Sequence, residues 1–233
     1  MKALIVYAHS EPTSFTASLK NVSIQTLEEN GHQVVLSDLY AQGFHPTAEK
    51  FDFSIISGSS FNYMHEQKNA AMHSMAFAPD ISDEIIKLKE ADLIIFHFPL
   101  WWSSAPAILK GWIDRVFAMG VAWDSRGQVF SEGLLRGKQV LVVTSTSESG
   151  DSYQPTGLYK GTVEQMLHPL LYGTFAYCGM DVLKPFVAYD VLNKNNEQRS
   201  QIIDLYREHL INMIKTPQFY SKISGHNPLG DLS

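Results

Sequence analysis

The chain has 233 residues, 45 % of them hydrophobic, enough to bury a substantial core and better suited to one large α/β domain than to two small ones. A net charge of −6, with 18 lysines and arginines scattered along the chain, provides no basic stripe for a phosphate backbone and argues against a nucleic-acid partner. The single cysteine, Cys178, rules out an internal disulfide or a thiolate metal cluster and reads as a buried structural thiol.

The first apolar run, residues 2–8, is too short for a secretory leader and runs straight into His9, so it reads as a strand. Further continuous apolar runs follow at 33–38, 92–98, 139–144 and 182–189. Continuity, as opposed to alternation, marks strands covered on both faces, and so a parallel sheet. Helical spacing falls between or after these runs, at 18–30, 81–91, 105–119, 162–178 and 197–214. Right-handed crossovers then give an α/β architecture, a doubly wound five-stranded parallel sheet with helices on both faces. The domain is expected to span 1–215, with 216–233 a tail that either packs on a partner subunit or frays. The stretch 40–79, with Gly43, Pro46 and Gly58, reads as a long irregular loop, a kind that is often functional or intersubunit. No run approaches the roughly 18 apolar residues needed to cross a bilayer. The expectation is a soluble protein, in keeping with a reducing cytoplasm.

Open parallel sheets bind ligands beyond the carboxyl ends of their strands. The first such loop, from His9 to Ser18, contains no glycine, and the first glycine of the chain is Gly31, which excludes a dinucleotide G-x-G-x-x-G turn or a Walker loop there. The loop instead offers the hydroxyls of Ser10, Thr13, Ser14, Thr16 and Ser18 at the mouth of a helix. Hydroxyls and free first-turn N–H groups together hold a phosphate, although serine and threonine there also serve only as caps. His9 either contacts the phosphate or closes a hydrogen-bond network, and its place beside the hydroxyls favours the phosphate. After the third strand, Trp101 and Trp102 are adjacent and cannot both enter one core. At least one lines a pocket or an interface fit for a flat aromatic ligand, unless both pack on neighbouring loops.

The strings Phe98-Pro99-Leu100-Trp101-Trp102, Pro106-Ala107-Ile108-Leu109-Lys110-Gly111-Trp112 and Asp114-Arg115-Val116-Phe117 closely resemble the NAD(P)H:quinone oxidoreductases of the DT-diaphorase type. The resemblance extends through Ala3-Leu4-Ile5-Val6, Ala8-His9-Ser10-Glu11, Thr13-Ser14-Phe15 and Ser37-Asp38-Leu39-Tyr40 to the Cys178-Gly179 region. It implies a flavodoxin-like fold, bound FAD (FMN being the less favoured alternative), NADH or NADPH as donor and a quinone-like acceptor. It also implies ping-pong hydride transfer and a homodimer with the active site at the interface. By the resemblance His9, Thr13, Phe15, Thr16 and Ser18 lie around the pyrophosphate and ribityl chain. Pro99, Leu100, Trp101, Trp102 and Ser103 run along the isoalloxazine ring, and Thr144 and Ser145 approach its pyrimidine edge. Trp123 and Tyr177, with Trp102, match the substrate pocket and its roof, Asn62 matches an intersubunit flavin contact, and Arg199 aligns near the adenine.

The family carries a tyrosine and a histidine that hydrogen-bond the flavin carbonyl. Tyr153 matches the tyrosine, but the histidine is absent: anchoring on Gly161 puts Lys160 in its place, whereas anchoring on Tyr153 puts Tyr159 there. Either could stabilise a flavin oxyanion, while Lys160 could equally be a solvated loop charge. Some relatives of this kind are ancillary subunits of membrane potassium-efflux systems, which makes a regulatory, transporter-bound flavoprotein the alternative function.

Overall fold

Strand β1 (Lys2–Tyr7) is buried along five of its six residues, as a strand covered on both faces must be. The computed structural model in which it is seen describes residues 1–56, 60–73 and 76–222. β1 runs parallel to β2 (Gln33–Asp38) on one side and β3 (Leu93–Pro99) on the other. β4 (Gln139–Ser145) continues the sheet beside β3, paired from Leu93 with Gln139 to Pro99 with Ser145. Because the chain moves one way from β1 to β2 and the other way to β3, a crevice opens beyond the carboxyl ends of β1 and β3.

The fifth strand predicted at 182–189 is present in two pieces. β5 (Asp181–Leu183) and β6 (Phe186–Ala188) share the place next to β4, the first pairing with Gln139 and Val140, the second with Val143 to Ser145. Pro185 lies between them and has no N–H with which to continue the ladder. Beyond β5 the sheet gains an antiparallel strand, β7 (Phe219–Ser221), from residues assigned above to the tail. Residues 223–233 of that tail, and Gly58 of the long loop, lie outside the described residues.

Helix α1 (Phe15–Glu29) starts earlier than its hydrophobic spacing suggests, because Ser14 caps it by accepting the Ala17 N–H. With α7 (Asn196–Lys215) it covers one face of the sheet, around Leu19, Leu27, Ile5, Ile95, Val143 and Tyr206. The other face packs under α3 (Pro79–Glu90) and α4 (Ala107–Val116), where Phe96 stacks on Phe175 at 4.9 Å. The helix expected at 162–178 is broken into α5 (Val163–Met166), α6 (His168–Leu170) and a π-helical stretch, Leu171–Ala176. Pro169 again removes a donor there.

The long loop is more ordered than its composition indicates. It contains α2 (Tyr63–Met72), and its first half is held by a buried ion pair, Arg115 Nη2 to Asp52 Oδ1 at 2.9 Å. Arg115 also reaches Asp80 and the His45 carbonyl, each at 2.7 Å. No described helix is long and apolar enough to cross a membrane.

Candidate active site

The crevice at the switch point is a cleft of about 450 Å³. One wall is the loop that leaves β1. There the Glu11 N–H donates to His9 Nδ1 at 2.9 Å, so a neutral His9 carries its proton on Nε2. Burial holds the pKa of His9 below its ordinary value, against a smaller opposing pull from Glu11. The Glu11 carboxylate accepts both the Thr13 hydroxyl at 2.7 Å and the Thr13 N–H at 2.9 Å, and these bonds hold its own pKa down. Since Ser14 serves the Ala17 N–H, the N–H groups of Phe15 and Thr16 have no acceptor within the helix. Thr16 is buried and bonds Ser145 across the cleft floor at 2.8 Å.

The second wall leaves β3. Leu100 donates to the Ser145 carbonyl at 2.8 Å, and Trp101 and Ser104 exchange N–H···O bonds at 3.0 Å. Closing so tight a turn puts Trp102 and Ser103 in the left-handed region, at φ of 50° and 56°, a strained conformation for side-chain-bearing residues. Its result is to separate the two tryptophans: Trp102 is 99 % exposed, whereas Trp101, 44 % exposed, lines the cleft with its ring 6.1 Å from that of His9. The third wall follows β4 and β6. Ser145, Thr146 and Ser147 line it, opposite Val191, Leu192 and Arg199. Thr144 does not: it is fully buried and spends its hydroxyl on the Phe98 carbonyl.

Arg199 stands where this cleft meets a second hollow of about 340 Å³, which also includes Ser18 and shares Thr13 and Phe15. Its Nη2 donates to the Val191 carbonyl at 3.0 Å, while its buried Nε has no partner among the described residues.

Tyr153 is buried, hydrogen-bonded to Thr146 at 2.8 Å, and lies flat against Tyr159 with ring centroids 4.7 Å apart and planes 12° from parallel. Burial raises its pKa. The chain can turn back this tightly because residue 157 is glycine: a Cβ there would sit 2.2 Å from the Asp151 carbonyl oxygen. Tyr159 is therefore the residue brought against Tyr153. Lys160 is exposed at φ 57°, its ammonium only 3.5 Å from the Thr156 carbonyl.

Like Thr144, the predicted residues Ser18, Trp102, Ser103, Tyr153, Tyr159 and Lys160 do not line the cleft, and three more lie elsewhere in this one chain. Trp123 and Tyr177, rings 6.0 Å apart, line a separate hollow of about 400 Å³, and Asn62 caps α2 by accepting the His65 N–H. Cys178 borders that hollow, its thiol pushed up by burial to about 12 and so held protonated. Among the described residues no group of three His, Cys, Asp or Glu side chains could hold a metal ion. Sequence reasoning did not single out Glu11, Thr146, Ser147, Val191 or Leu192. Glu11 had a signal, a carboxylate between hydroxyls in a loop without glycine, whereas Val191 and Leu192 come from a turn with none.

A family model described as a flavodoxin-like fold matches residues 1–212. The human ribosyldihydronicotinamide dehydrogenase [quinone] is 41 % identical over 211 residues, covering 90 % of each chain. The rat NAD(P)H dehydrogenase [quinone] 1 is 35 % identical, over 90 % of this chain and 76 % of its own. The chain belongs to the flavodoxin-like quinone oxidoreductases. A solved structure of a Klebsiella pneumoniae protein assigned as a quinone reductase superposes with a TM-score of 0.89 at 32 % identity, over 100 % of this chain and 93 % of that one. For a flavodoxin-like oxidoreductase the implied resident group is a flavin, and the residues present fit one. The N–H groups opening α1, which have no acceptor within the helix, and the buried Nε of Arg199, without a partner among the described residues, suit its phosphates, and the Pro99–Trp101 shelf suits its ring.

Proposed function

We propose that the chain is a flavin-dependent NAD(P)H:quinone oxidoreductase, transferring two electrons from a reduced nicotinamide to a quinone-like acceptor. The observation that carries this reading is the single cleft in which an anion-binding wall, made by the start of α1 and by Arg199, faces an apolar aromatic shelf. When bound, the flavin supplies the redox chemistry, taking hydride from the nicotinamide and giving it to the acceptor.

The protein's part is to bind, orient and neutralise. Thr13, Phe15, Thr16 and Arg199 hold phosphate, and the hollow beyond Arg199, bordered by Ser18, leaves room for an adenosine, which supports FAD over FMN. Trp101 and Pro99 exclude water from one face of a planar ring. Thr146, Tyr153 and Tyr159 form a hydroxyl-bearing group beside the cleft, poised to support negative charge that develops at the polar edge of the ring. Donor and acceptor would then use the same face in turn, giving ping-pong kinetics.

In a homodimer the aromatic hollow of Trp123 and Tyr177, which lies off the cleft, would serve the partner's site, as would Asn62. The exposed Met64 beside that hollow supports an interface there. The proposed activity suits the cytoplasm, where reduced nicotinamide is available. A second donor, ribosyldihydronicotinamide, is supported by the higher identity and fuller coverage of the human relative bearing that name.

Purified protein should be yellow and release FAD on denaturation. It should oxidise NADH, NADPH or ribosyldihydronicotinamide in the presence of menadione, with parallel double-reciprocal plots. Protein that stays colourless in excess FAD and FMN, or is inert with all three donors, overturns the reading.

A further inference from the structure

The mostly apolar α1/α7 face of the sheet carries one chain of three buried, hydrogen-bonded polar side chains. His97 of β3 contacts Ser23 of α1 through Nε2 and Oγ at 2.9 Å, and Ser23 contacts the hydroxyl of Tyr206 on α7 at 2.5 Å. All three residues are fully buried, and the Tyr206 ring meets that of His97 edge-on at 6.0 Å. Among the described residues His97 Nδ1 has no partner. A hydrophobic trio of the same volume would bury as well without leaving a polar atom unsatisfied, so burial alone does not account for these residues. What hydrogen bonds add is registry: apolar surfaces slide over one another, whereas a 2.5 to 2.9 Å chain fixes a strand and two helices in one relation.

That relation bears on the cleft. Ser23 follows Thr16 by seven residues on α1, and Tyr206 follows Arg199 by seven on α7. Seven residues is about two turns, so each member of the chain lies on the same helix face as a cleft residue, about 10 Å behind it. His97 lies two residues before Pro99. The three elements joined are those whose ends form the anion-binding wall and the aromatic shelf. We propose that His97, Ser23 and Tyr206 are positioning residues, a clamp that sets the separation of α1 and α7 and through it the grip of Thr16 and Arg199 on the flavin phosphates. The proposal rests on the flavin reading given above.

The test is the rate at which the holoenzyme releases FAD on dilution, followed by flavin fluorescence, together with kcat in saturating FAD. Tyr206→Phe keeps the ring and Ser23→Ala keeps the helix, so both are mild substitutions. Each should speed release about fivefold, the equivalent of one lost hydrogen bond, with kcat in saturating FAD unchanged. His97→Gln retains an N–H able to reach Ser23 and should stay within about twofold of wild type. Release at the wild-type rate from both Tyr206→Phe and Ser23→Ala, with only a lower Tm, would show a purely structural network and overturn the clamp. Wild-type protein that binds no flavin removes the flavin reading first and the clamp with it, a result distinct from flavin-loaded variants that do not differ.

Discussion

Gly157 sets which of two residues, left level by sequence alignment, stands against Tyr153. Any side chain there would collide with the Asp151 carbonyl, and the resulting turn stacks Tyr159 on Tyr153 while Lys160 faces solvent. Tyr159→Phe should therefore slow flavin reduction by NADH roughly tenfold, the loss of somewhat more than one ordinary hydrogen bond, and Lys160→Ala should leave it unchanged. Stopped-flow bleaching of the flavin measures both, and equal rates for Tyr159→Phe and wild type would refute the assignment. At this scale much of the site was legible: the missing glycines and the crowded hydroxyls located the His9–Thr16 wall, and the paired tryptophans located the shelf. Which tryptophan faces the cleft was not, because that depends on two left-handed residues, Trp102 and Ser103, whose identities give no hint of positive φ. Ser145 was expected at the cleft and lines it, but that Thr144 would turn away and Thr146 would take part was closed to prediction. On a strand buried from both sides, position alone does not say which hydroxyl will be spent on a neighbouring carbonyl.

Among the elements, those with strong apolar spacing were predictable and those held by polar contacts were not. α2 has no apolar stripe in its sequence Tyr63–Met72, and it sits in a segment tied down by the Asp52–Arg115 pair. That pair is buried on both sides, so removing one partner strands the other charge. Arg115→Leu is expected to cost about 3–5 kcal/mol, read from urea unfolding, whereas an exposed pair such as Lys110–Asp114 should contribute less than about 1 kcal/mol. A loss below about 1 kcal/mol for Arg115→Leu would mean that the loop is held by its apolar contacts. The interruptions at Pro169 and Pro185 were not foreseen in the expected elements 162–178 and 182–189, although the prolines that cause them stand in the sequence. A proline inside an apolar run removes a ladder or helix donor, and both predicted elements break near it.

The whole molecule carries an acid sensitivity set by buried imidazoles. Burial pushes His97 down to about 3, and Lys20 adds a smaller effect of the same sign. The folded protein thus keeps the ring neutral at pH values where the unfolded chain, with an ordinary value near 6.5, takes up a proton. Stability from this group is intact above the unfolded value and drains away as pH falls toward the folded one, by about 2 kcal/mol between pH 7 and pH 5. His209, also depressed by burial, acts in the same direction. His97→Gln should flatten the pH dependence of urea unfolding over that range, and an unchanged slope would contradict the argument.

The parallel strands leave one edge of the sheet to β7, three residues run against the direction of β5 and fastened by the His168–Tyr220 hydrogen bond at 2.7 Å. An exposed edge is a template on which a second chain can crystallise its own backbone, and proteins that must stay dispersed blunt it. Here the template is short and reversed, and Lys222 follows it directly, its ammonium 5.2 Å over the Phe219 ring. An incoming strand would find only three residues of ladder with a lysine beside them, a poor seed for fibrous growth.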